Sequence, residues 1–65
     1  MSEASLYRAR AEQCRAEADA ATLENVRERC LRAEAAWIAM AERGERGDAM
    51  RAALDLAKAT AAAAE

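Results

Sequence analysis

The chain predicts an all-α fold, and three observations carry that prediction. There is no proline, and the only glycines are Gly44 and Gly47. Ala, Arg, Glu and Leu, all good helix formers, dominate, while the β-branched set is only Thr22, Val26, Ile38 and Thr60. The apolar residues also recur at alternating steps of three and four, the spacing of helices packed side by side. The expected architecture is an antiparallel helical hairpin, about 4–21 and 24–43, plus a weaker C-terminal helix, about 49–63. As one helical domain over 1–65, it divides into a hairpin (3–43), a glycine-containing turn (44–48) and a third helix (49–65), with dimerisation completing a bundle.

The first helix rests on Tyr7, Ala11, Cys14, Ala18 and Ala21, with Ser2 or Ser5 placed to cap it. The second rests on Leu23, Val26, Cys30, Ala33, Trp37 and Met40. No glycine or proline separates the two, so the phase of the seam decides whether they are one helix. A heptad continued from Ala18 and Ala21 would next use Asn25 and Glu28, both polar, whereas the apolar set restarts at Leu23 and Val26. That jump fits neither a stutter nor a stammer, and it places a tight turn around Ala21–Glu24, with Thr22 or Asn25 capping the second helix. The glycines punctuate its end, Asp48 is an N-cap candidate for the third, and Met50, Leu54, Ala57 and Ala61 give that segment its stripe.

Folding the hairpin about residue 22 pairs Tyr7 with Trp37, Ala11 with Ala33, Cys14 with Cys30 and Ala18 with Val26. The only Tyr and only Trp then share one layer and the only two cysteines another. The same register brings Glu17 near Arg29, Glu3 near Arg43 and Arg8 near Glu34. The second helix carries more apolar surface than one neighbour covers. Leu31, Ala35 and Ile38 form a second stripe about 100° from the Cys30–Trp37 seam, for the third helix or a second copy of the hairpin to occupy.

Of 35 apolar residues, 21 are alanine, leaving 14 larger side chains, too few for a robust lone core in so short a chain. Association with a second copy or another protein is the physical consequence, and a multidomain enzyme is excluded. Ten basic and twelve acidic residues are interspersed, with a net charge of −2, which argues against nucleic acid as the partner. No apolar run approaches the roughly 20 residues of a membrane span, and residues 1–12 lack the apolar stretch of a secretory signal. The expected location is therefore the cytoplasm, with the cysteines reduced.

Little in the sequence carries chemistry. Cys14 and Cys30 are either small core residues or a redox pair, with Arg15 and Arg27 near enough to supply positive potential. With no histidine and no third ligand nearby, a metal site is not expected. Arg15, Arg27 and Arg29, with Arg32, form a candidate anion patch at the turn, diluted by Glu24, Glu28 and Glu34. No phosphate loop, nucleophile elbow or His–carboxylate pair is present, so no catalytic residue, cofactor or small-molecule substrate is expected.

The segments Tyr7-Arg8-Ala9-Arg10-Ala11-Glu12, Asn25-Val26-Arg27, Leu31, Ala36-Trp37 and Met40-Ala41-Glu42 together form a pattern. In it the chain resembles small uncharacterised helical proteins of alphaproteobacteria, over residues 6–43. The resemblance implies a helical hairpin and brings no activity, cofactor or site residue. Some of those proteins carry Asp-Pro in the break, where Leu23-Glu24 stand here. The sequence as a whole reads as a cytoplasmic, self-associating interaction module or small regulatory adaptor. A thiol switch through Cys14 and Cys30 is the alternative, and nucleic-acid association through the arginine patch a weaker one.

Overall fold

The computed structural model describes residues 2–64, and these form two helices, α1 (Glu3–Ala20) and α2 (Glu24–Ala64), folded as a hairpin. Ser2 caps α1: the Ser5 backbone N–H donates to Ser2 Oγ at 3.1 Å, satisfying one of the free donors of the first turn. At the other end Ala21 leaves the helix in an extended conformation while its N–H still donates to the Ala18 carbonyl at 3.2 Å. The turn comes where the change of seam phase places it. Neither proposed cap for α2 holds, since Thr22 lies two residues ahead of the helix and Asn25 inside it. The start is carried by Glu24, whose charge suits the helix N-terminus, and by the Arg27 N–H donating to the Leu23 carbonyl at 3.1 Å.

The turn at 44–48 and the separate third helix do not form. α2 runs unbroken for 41 residues through both glycines, neither of which has a positive φ. A glycine inside a helix costs about 1 kcal/mol relative to alanine, against about 3 for proline, and strong helix formers surround both positions. Gly44 also has a packing role. A Cβ built there would lie 3.4 Å from the Ala4 Cβ, so the missing side chain is where the start of α1 approaches α2. Asp48, the expected cap, instead forms an ion pair with Arg51 one turn along the same helix.

Helix length sets the shape. At about 1.5 Å per residue, α2 spans about 61 Å, and the molecule measures 64 × 16 × 11 Å. Its radius of gyration is 17.9 Å, against about 11 Å for a compact domain of this length. α1 covers α2 only as far as Gly44 and Gly47; every described residue beyond Gly47 is exposed.

Candidate interaction surface

The hairpin seam is built from small residues. Ala4, Ala11 and Ala18, at steps of seven along α1, are buried, as is Ala41 on α2. Small side chains let helix axes approach to the near end of the usual range of about 8–10 Å. Bulk enters at one layer, where Tyr7 and Trp37 stack with ring centroids 5.7 Å apart and planes tilted by 30°. That pair is the one anticipated from the sequence. Of the other expected seam residues, Cys14, Val26, Cys30, Ala33 and Met40 are half-buried.

Away from the aromatic layer the contacts fall further along α2 than a fold centred on residue 22 implies, by four residues at Ala4–Gly44, five at Arg15–Glu34 and nine at Arg8–Glu45. Ala4 meets Gly44 rather than Met40, Arg15 pairs with Glu34 at 3.6 Å, and Arg8 reaches Glu45 at 2.8 Å. Of the anticipated pairs, Arg8–Glu34 gives way to Arg8–Glu45 and Arg15–Glu34, and Glu17 lies beside Cys30 rather than Arg29, while Glu3 and Arg43 line one groove without an ion pair between them. Side chains in a helix lean toward its N-terminus. In an antiparallel pair those of α1 therefore lean away from the turn and those of α2 toward it, so a residue of α1 meets one further along α2. Long arginine side chains add to the offset.

Arg8 and Glu45 form the strongest polar contact across the hairpin. Arg8 Nε donates to Glu45 Oε2 at 3.1 Å and a terminal nitrogen to Oε1 at 2.8 Å, a two-pronged fork between guanidinium and carboxylate. The hydrogen bonds from Arg8, then its charge, hold the Glu45 carboxyl below its ordinary range against an opposing effect of burial, and Glu45 raises the Arg8 guanidinium in return.

Both cysteines are free and half-buried. The polar group beside Cys30 Sγ is the Glu17 carboxylate at 4.0 Å, not an arginine. The two arginines expected to supply positive potential face acids: Arg15 lies 3.7 Å from Asp19 and 3.6 Å from Glu34, and Arg27 lies 3.9 Å from Glu24. Of the anion-patch residues, Arg15 and Arg27 line one open groove near the turn with Ala18, Asp19 and Leu31; Arg29 is exposed outside it. A second groove of about 370 Å³ runs along the hairpin between Arg8, Arg15, Glu12 and Asp19, with Ala11 and Ile38 contributing apolar surface.

The second stripe is placed unevenly: Leu31 and Ile38 are half-buried and Ala35 is exposed. The sequence reading missed Ala4, Ala41 and Gly44. The signal was available, because the seam of α2 passes from Trp37 to Ala41 to Gly44 by steps of four and three. It then continues as Asp48, Arg51, Asp55 and Lys58, so the line that faces α1 turns from apolar to charged where α1 ends. Past that point Met50, Leu54 and Leu56 stand 66%, 56% and 69% exposed. No described helix is long and apolar enough to cross a membrane. What the fold defines is a helical hairpin with a projecting helical tail. Compared with known proteins, the chain matches no family model, no curated protein and no solved structure.

Proposed function

We propose that this chain is a non-enzymatic helical protein–protein interaction module, a small regulatory adaptor of the cytoplasm that works as a self-associated unit. The observation that carries the reading is the bare tail of α2: after Gly47 every described residue is exposed, three large apolar side chains among them. An isolated helix of that length is marginal in water, because helix formation is cooperative and most helical stability comes from burying a face. A partner that covers it supplies what the single chain lacks. The kinship suggested by the Tyr-Arg-x-Arg-Ala opening and the later Trp is part of the same proposal; it adds no activity.

Sedimentation equilibrium tests the reading. The expected mass is near twice 7.0 kDa, with a melting temperature that rises with protein concentration. Replacing Leu31 and Ile38 together by Glu returns the mass to that of a monomer while the far-ultraviolet helical signal persists. A monomer at all concentrations, with a concentration-independent melt, contradicts the reading.

A second reading, a thiol-based switch, draws on Cys14 and Cys30 being free and only half-buried. It expects a reversible change in melting temperature between oxidising and reducing buffers, and native thiols that never react would end it. Nucleic-acid association has less support, since Arg15 and Arg27 face carboxylates of their own chain.

A further inference from the structure

The chain exposes 5122 Å² of surface, whereas a compact monomer of 7.0 kDa exposes about 4,000 Å². The excess, about 1,100 Å², is comparable to the roughly 800 Å² that each partner contributes to an ordinary stable interface. The tail, residues 48–64, is exposed along its whole described length and extends about 25 Å. α1, with 18 residues, is about 27 Å long. The uncovered part of α2 is therefore as long as the hairpin that another copy could offer it.

The second stripe of α2 shows which faces meet. Continued at steps of three and four from Leu31, Ala35 and Ile38, it passes through Glu42 and Glu45 and resumes on the tail at Ala49, Ala52, Leu56, Ala59 and Ala63. Because α2 is one helix, these positions form a single slowly turning line on one side of the rod. Met50 and Leu54 lie well over 100° away around the helix and are not on it.

Resting on the self-association reading, we infer that two copies pair antiparallel through this line, the tail of each lying on the hairpin face of the other. The two-fold axis falls near Gly47. Ile38 then meets Leu56 of the second copy, Ala35 meets Ala59, and Leu31 meets Ala63. The acidic middle of the line selects the direction. In the antiparallel pair Glu42 and Glu45 pass alanines, whose small side chains leave the carboxylates a path to water. In a parallel, in-register pair Glu42 faces Glu42 of the second copy, a like-charge contact that destabilises, while Glu45 is already held by Arg8. The antiparallel arrangement is also closed: the same surface is used on both copies and no tail is left over.

Cross-linking tests the pairing directly. In chains carrying Cys14→Ser and Cys30→Ser, one preparation receives Ile38→Cys and another Leu56→Cys. The two positions are about 27 Å apart on one helix, so no bridge forms within a chain. Mixed under oxidised glutathione, the two preparations give a disulfide-linked heterodimer, while neither alone cross-links appreciably. Self-cross-linking of each preparation alone identifies a parallel pair and overturns the inference. A sedimenting dimer with no cross-link in the mixture also overturns the pairing but leaves self-association standing; a monomeric parent chain overturns both. Two single variants of the parent chain give an independent check, each first shown to keep its helical signal. Leu56→Glu yields a monomer and Leu54→Glu a dimer, and the reverse outcome contradicts the inference.

Discussion

At the scale of single residues, two contacts tie α1 to α2 and fix their register. The Arg8–Glu45 fork depends on an ionised Glu45, whose carboxyl sits below its ordinary range. A carboxyl depressed on folding stabilises the fold above its unfolded value, and that contribution is lost as pH falls through the folded value. Thermal melts are thus expected to weaken as pH drops through and below the usual carboxylate range of about 4. In Glu45→Gln the fork is absent at every pH, so the melting temperature at neutral pH is slightly lower and its acid-side slope shallower. An unchanged slope would mean that the pair does not contribute in solution. The Tyr7–Trp37 stack is the other anchor. A double-mutant cycle of Tyr7→Leu and Trp37→Leu is expected to return a coupling of about 0.5–1.5 kcal/mol, the usual range for aromatic pairs. A coupling near zero would place the rings apart.

At the scale of elements, the sequence is legible where periodicity and capping act locally. Ser2 follows from cap chemistry, and the break after Ala20 and the start of α2 at Glu24 follow from the shift in seam phase at Leu23 and Val26, not from the caps expected at Thr22 or Asn25. The glycines mislead because glycine is ambiguous from sequence alone: it ends helices, and it also lets two helices approach. Gly44 does the second, and its partner Ala4 lies forty residues earlier in the sequence, beyond any local pattern. The distinction has a thermodynamic signature. A Cβ at Gly47 meets only the flexible end of Arg51 at 3.7 Å, so Gly47→Ala is expected to stabilise the chain by about 1 kcal/mol. At Gly44 the new methyl lies 3.4 Å from that of Ala4, so Gly44→Ala gains less than Gly47→Ala, and Gly44→Leu loses stability by forcing α1 away. If residues 44–48 formed a turn with left-handed glycines, both alanine variants would be destabilised. Chemical denaturation of the three variants decides between these outcomes.

At the scale of the whole molecule, the candidate surface was partly legible as well. Leu31, Ala35 and Ile38 are readable from the sequence as a stripe in want of a partner, because their spacing exceeds what α1 can cover. What covers that stripe was not readable, since the answer turns on whether residues 49–63 can fold back, and a continuous helix forbids it. The shortage of large apolar residues therefore describes an extended rod rather than a loosely filled globule. Its buried residues are the alanines Ala4, Ala11, Ala18 and Ala41 of the hairpin, and three of its larger apolar residues, Met50, Leu54 and Leu56, stand exposed on the tail. The continuity of α2 underlies both the tail and the pairing argued for it. Pulsed dipolar spectroscopy measures it directly, with spin labels at Glu28→Cys and Lys58→Cys in a chain carrying Cys14→Ser and Cys30→Ser. Dilution with unlabelled chain isolates the distance within one molecule. A continuous helix places the two backbone positions about 45 Å apart, with a narrow distribution. A distance under about 20 Å would mean that the chain folds back at its glycines, and would contradict the account.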